Sequence, residues 1–156
     1  MRRLWITNGS TSVGPVVNAV AAACHEGYVP TDVYLLDNPT IEDVSGAVTT
    51  TIKTIVTANG GDEPIVTVET IDEERDFDAI VAYLRAAIDE GAEDDAEIAI
   101  DLTPGRKFWP IISFRAGIKY DVDHLYYIHL DGRFFGESYP TIPRTAIDLV
   151  DFTEVL

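Results

Sequence analysis

At 156 residues, 46% of them hydrophobic, the chain is long enough for one substantial core and short for two, so a single domain over residues 1–156 is expected. Its charge is lopsided: 27 Asp and Glu stand against 11 Lys and Arg, a net −16, which argues against long-range attraction to nucleic acid. Cys24, the one cysteine, excludes an internal disulfide or a thiolate cluster and, among Ala21, Ala22 and Ala23, reads as a small core residue.

Residues 2–8 read as a short buried strand, 9–15 as a turn rich in Gly and hydroxyls, and 16–25 as an apolar helix stopped by Gly27. A second strand is predicted over 32–36. It is followed by Asp37-Asn38-Pro39-Thr40, with Thr40 as cap of a helix weakened by Thr49, Thr50 and Thr51. After the Asn59-Gly60-Gly61-Asp62 break, residues 64–70 alternate like a third strand, and Phe77, Ile80, Val81, Leu84 and Ile88 mark a helix over 76–90. The spacing then gives a fourth strand over 97–102, a turn at 103–105, and a helix over 107–119 with Ile111, Ile112 and Phe114 turned inward. A fifth strand, 125–130, leads into Asp131-Gly132, a hairpin signal toward Arg133-Phe134-Phe135, and 146–152 reads as a last edge strand.

Strands alternating with helices predict an α/β fold of Rossmann-like type: a doubly wound, mostly parallel sheet with a C-terminal antiparallel extension. The usual strand order for such a sheet, 3-2-1-4-5, makes the first and fourth strands neighbours, and ligands bind in the crevice beyond their carboxyl ends. The loops there supply Asn8, Gly9, Ser10, Thr11 and Ser12 on one side and Thr103, Gly105, Arg106 and Lys107 on the other. Backbone N–H groups, hydroxyls and two cations at a helix start suit a phosphate-bearing ligand. Neither loop is a P-loop or a G-x-G-x-x-G turn, which disfavours an ordinary NTPase or NAD enzyme. The bland alternatives are hydroxyls that merely cap the first helix, and Asp101 or another carboxylate as the partner of Arg106 and Lys107.

Six of the eleven cations, Arg106, Lys107, Arg115, Lys119, Arg133 and Arg144, fall within residues 106–144, which places a basic surface there. The acidity is dispersed and lysines are scarce, as in proteins of salt-adapted organisms. No apolar run reaches roughly eighteen residues and no signal peptide opens the chain, so a cytoplasmic protein is expected. His25, His124 and His129 do not share a face, so no metal site is expected. Trp109 reads as core, with stacking on a base as the lesser alternative.

Asp101-Leu102-Thr103-Pro104-Gly105-Arg106-Lys107, together with Thr7-Asn8-Gly9-Ser10-Thr11-Ser12, resembles the CARF domains, the CRISPR-associated Rossmann-fold sensors of cyclic oligoadenylates. Pro104 stands where that pattern has a Gly, and Arg106 where it has a small polar residue. The resemblance implies a homodimer whose paired crevices form a two-fold pocket for cyclic tetra- or hexa-adenylate, with no cofactor and no long nucleic acid as partner. It also implies, for some members, metal-independent ring cleavage in which a ribose 2′-hydroxyl attacks the neighbouring phosphate, with Lys107 and Ser10 or Ser12 as catalytic candidates. The competing readings are a CARF sensor that holds the ligand uncleaved, and an unrelated nucleotide-binding α/β protein.

Overall fold

The computed structural model describes residues 1–155. Six strands, β1 (Arg3–Asn8), β2 (Asp32–Asp37), β3 (Ile65–Thr70), β4 (Glu97–Asp101), β5 (His124–Leu130) and β6 (Ile147–Asp151), form one sheet in the order β3-β2-β1-β4-β5-β6. The first five run parallel, and β6 is antiparallel to β5, Ile128 opposite Leu149 and His129 opposite Asp148. Helices α1 (Gly14–His25), α2 (Glu42–Ala58), α3 (Phe77–Glu93) and α4 (Phe108–Lys119) make the crossovers, and a short α5 (Phe152–Val155) follows β6. The Rossmann-like sheet read from the alternation of elements is therefore present.

Side chains of β1 alternate between two cores, as the pleat requires. Trp5 packs with α1 and α2, while Leu4 and Ile6 pack with α3 and α4. Cys24 is buried in the first core, where loss of solvation drives its thiol pKa upward to about 12. Tyr28 ties the lower edge together, its hydroxyl donating to the carbonyls of Leu4 and Glu97 at 2.8 and 2.9 Å.

Four local expectations change. Helix α1 starts two residues early, at Gly14, with Pro15 in its first turn and Val13 as a cap without a side-chain bond; proline is pre-set for that place. Thr40 does not cap α2, whose cap is Ile41. The Asp131-Gly132 hairpin does not form: Gly132–Phe134 is a 3-10 turn, and a strap running to Ala146 precedes β6. Asp131 accepts from the Arg133 backbone N–H at 3.1 Å, an Asx turn that competes with a tight hairpin.

Helix α4 is the fourth. Its buried stripe is Trp109, Ser113 and Gly117, and Ile111 is 70% exposed. A Cβ at Gly117 would meet Leu125 Cδ2 at 2.4 Å, so the helix lies close to the sheet along its small residues and turns Ile111 outward.

Candidate ligand site at the carboxyl edge of the sheet

The loops after β1 and β4 meet as the strand order requires. Gly9 N–H donates to the Leu36 carbonyl at 2.8 Å, which draws the first loop onto β2. Ser10 is half-buried, while Thr11 and Ser12 are exposed. None of these three hydroxyls caps α1, so the capping alternative is set aside.

The second loop hangs on Asp101. Its carboxylate, fully buried, accepts from Thr7 Oγ1 at 3.0 Å and from Thr103 N–H at 2.9 Å. Burial pushes this carboxyl up to about 7, against the opposing pull of the Thr103 and Thr7 hydrogen bonds. Thr103 Oγ1 in turn accepts from Ile128 N–H at 3.0 Å, so one short turn spans β1, β4 and β5. The Asp101 carbonyl accepts from Trp109 Nε1 at 2.8 Å. Trp109 has no exposed surface, which settles it as core and not as a stacking platform.

Gly105 brings the loops into contact. Its φ is +83°, and a Cβ there would lie 2.4 Å from Asn8 Nδ2, so this turn takes glycine for both conformation and space. Arg106 and Lys107 do not stand in the first helical turn, since α4 begins at Phe108 with Lys107 as its uncapped N-cap. Nor does Asp101 answer their charge, because it points inward to Thr7 and Thr103. Arg106 Nε instead meets Glu74 Oε2 at 3.2 Å, and Lys107 is exposed.

These pieces enclose a cavity of about 230 Å³ lined by Asn8, Gly9, Ser10, Thr11, Gly105 and Arg106. Its floor is apolar, made by Leu36, Ile41, Ile71, Ile80 and Phe108, and its far rim is polar, with Asn38, Thr40 and Glu74. Sequence reasoning missed this far half. The signal was present, since Asn38 and Glu74 follow the second and third parallel strands and so must share the same edge.

Two expected residues lie on the other side of the first loop. Ser12 and Thr103 line a separate hollow of about 500 Å³ with His129, Tyr127, Phe135 and Ser138. The strap that walls it is held by Asn18, which donates to the Glu137 carbonyl at 3.1 Å and accepts from Tyr139 N–H at 2.9 Å. Lys107 lines neither hollow.

Among the described residues no group of three or more His, Cys, Asp or Glu is placed to hold a metal ion, and no helix is long and apolar enough to cross a membrane. His124 sits at the opposite edge of the sheet, bonded to Asp151 at 2.7 Å and Glu97 at 2.9 Å. Burial alone would lower its pKa, but the two carboxylates outweigh it and hold the imidazole above its ordinary range.

No family model and no curated protein matches the sequence. Solved structures do. Csm6 of Enterococcus italicus, bound to cyclic hexa-2′-fluoro-hexa-dAMP, superposes over 81% of this chain and 33% of its own, with a TM-score of 0.61 and 19% identity. Can2 from Sulfobacillus thermosulfidooxidans, in complex with cyclic tetra-adenylate, covers 81% of this chain and 32% of its own at a TM-score of 0.53 and 13% identity. A type III CRISPR defence DNA nuclease activated by cyclic oligoadenylate covers 84% of this chain and 19% of its own at a TM-score of 0.56 and 16% identity. The chain thus spans about a third or less of the length of each of these three proteins. The likeness to CARF proteins read from the two loops is borne out as a likeness of fold.

Proposed function

We propose that the chain binds a cyclic oligoadenylate, tetra- or hexa-adenylate, at the carboxyl edge of its sheet and cleaves it as a metal-independent ring nuclease in type III CRISPR signalling. The observation that carries this reading is the cavity where Asn8–Thr11 and Gly105–Arg106 meet, with hydroxyls and a guanidinium beside an apolar floor. That combination suits a phosphodiester on the polar side and a flat base on the apolar one. The fold shared with two proteins solved with cyclic adenylates supports the same ligand class.

In this reading two copies pair, so that a ligand with two-fold symmetry meets two equivalent sites. Asn8, Gly9, Ser10, Thr11 and Gly105 line the ligand, Arg106 takes a phosphate bidentately, and Ser12 and Thr103 border its outer side. Lys107, at the start of α4, turns toward the ligand from the rim and, with Ser10 or Ser12, steadies the charge that develops on the phosphoryl oxygens. The protein works in the cytoplasm of a salt-adapted cell and needs no cofactor. The second reading, a sensor that holds the ring intact, is favoured by the same hydroxyls and cations and parts from the first only in the fate of the ligand.

The test is incubation in molar salt with EDTA and either cyclic tetra- or hexa-adenylate, followed by chromatography, with Lys107→Ala and Ser10→Ala beside the unaltered chain. Linear products establish the nuclease, and their loss in Lys107→Ala assigns that residue. Intact ligand that co-elutes with the protein makes it a sensor, and the absence of both overturns the cyclic oligoadenylate reading. Light scattering of the ligand-bound protein checks the pairing: a monomer rules out the shared pocket.

A further inference from the structure

Ring cleavage needs something that the residues named so far do not provide. When a ribose 2′-oxygen attacks the adjacent phosphorus, a P–O2′ bond forms and the P–O5′ bond breaks. The 2′-hydroxyl proton must be taken up, and the departing 5′-oxygen must receive one. Serine and threonine hydroxyls, Arg106 and Lys107 can orient and neutralise, but they are poor proton acceptors near neutrality. The carboxylates of the β4 turn and of the cavity rim are engaged: Asp101 lies buried under Thr7 and Thr103, and Glu74 is paired with Arg106.

An imidazole suits the task, and of three histidines only one stands at this edge. His25 ends α1, which runs back from the site, and His124 opens β5 at the far edge between Glu97 and Asp151. His129 is the penultimate residue of β5, exposed, in the hollow that also holds Ser12 and Thr103. The preceding residue ties it to the turn after β4, because Ile128 N–H is bonded to Thr103 Oγ1. Carboxylates surround it: Asp148 lies opposite on β6, Asp131 two residues on is ion-paired with Arg133, and Glu137 of the strap lines the same hollow.

We propose, on the reading that this chain cleaves its ligand, that His129 is a catalytic residue. It takes the 2′-hydroxyl proton as the P–O2′ bond forms and returns it to the 5′-oxygen as the P–O5′ bond breaks. The products are a 2′,3′-cyclic phosphate and a 5′-hydroxyl, with no net gain or loss of protons.

The experiment compares unaltered protein, His129→Ala and His129→Gln in EDTA, following linear product from cyclic tetra- and hexa-adenylate across roughly pH 5.5 to 8.5. Affinity for a 2′-fluoro cyclic oligoadenylate, which lacks the attacking hydroxyl, is measured in parallel. We expect both variants to cleave about 100-fold more slowly and to bind the fluoro analogue as the unaltered protein does. We also expect them to lose the fall in rate on the acid side, and added imidazole to restore part of the rate of His129→Ala. A variant with the unaltered rate and pH profile overturns the role of His129 and leaves the nuclease reading standing. Unaltered protein that yields no linear product overturns both.

Discussion

Substituting Glu74 by Gln tests the electrostatic logic of the cavity directly. In the free protein Arg106 Nε lies 3.2 Å from Glu74 Oε2, with the two side chains 65% and 32% exposed. A ligand phosphate that takes Arg106 must first displace this carboxylate, so the ion pair acts as an internal competitor. Water screens a pair this open, and exposed pairs contribute about 0.2 to 1 kcal/mol. Removing the competitor should therefore tighten binding by about 1.4- to 5-fold for each site. Titration of a fluorescent cyclic adenylate against Glu74→Gln, Arg106→Ala and the double variant reads this out. Arg106→Ala should weaken binding, and most of the gain from Glu74→Gln should vanish in its absence, since the two effects share one contact. An equal gain with and without Arg106 would refute the reasoning, because it would trace the effect to net charge alone.

Three further outcomes are expected. Gly105→Ala should lower stability by about 1–2 kcal/mol, measured by thermal denaturation, because φ is +83° and the added carbon meets Asn8; an unchanged midpoint would contradict the contact. His124→Gln should cost about 1 kcal/mol, and only in a window. The folded-state pKa is raised, so the contribution is present below the ordinary imidazole range and fades as pH rises through the folded value. It also fades in acid once Glu97 and Asp151 are protonated. Melts at a series of pH values should show the gap between the two proteins closing at both ends. For Asp101 the burial-raised carboxyl, at about 7, means that the unaltered fold loses stability as pH rises from the ordinary carboxylate range toward neutrality. Asp101→Asn keeps an acceptor for Thr103 N–H and should flatten that slope, a result that denaturant unfolding at pH 5 and at pH 8 would check.

Much of the architecture was legible because it rests on periodicity. The strand at 97–102, the helix at 76–90 and the order that sets β1 beside β4 follow from apolar spacing and crossover rules. What local pattern could not reveal depended on contacts distant in sequence. Whether Asp101 turned outward to Arg106 or inward was decided by Thr7, on a strand 94 residues away. Ile111 was misplaced because α4 is seated by Ser113 and Gly117, small residues that carry no weight in a hydrophobic count. That the hydroxyls and glycines of the first loop meet the turn after β4 was readable from the strand order. The far rim of the cavity was implied by the same parallel order, while the place of His129 in the outer hollow depended on the strap that follows β5.

The hold of Asn18 on residues 137 and 139 also bears on the order in which the protein is made. Both atoms of that amide are satisfied by backbone 119 and 121 residues downstream. A growing chain on the ribosome thus carries a helix whose polar core residue waits for its partners until residues 137 and 139 have been synthesised. Until then Asn18 must stay hydrated or leave a buried amide without a partner, at a cost of about 1–3 kcal/mol. The wall of the outer hollow therefore closes only after residues 137–139 have emerged, and a nascent chain that stops short of them holds that hollow open on one side.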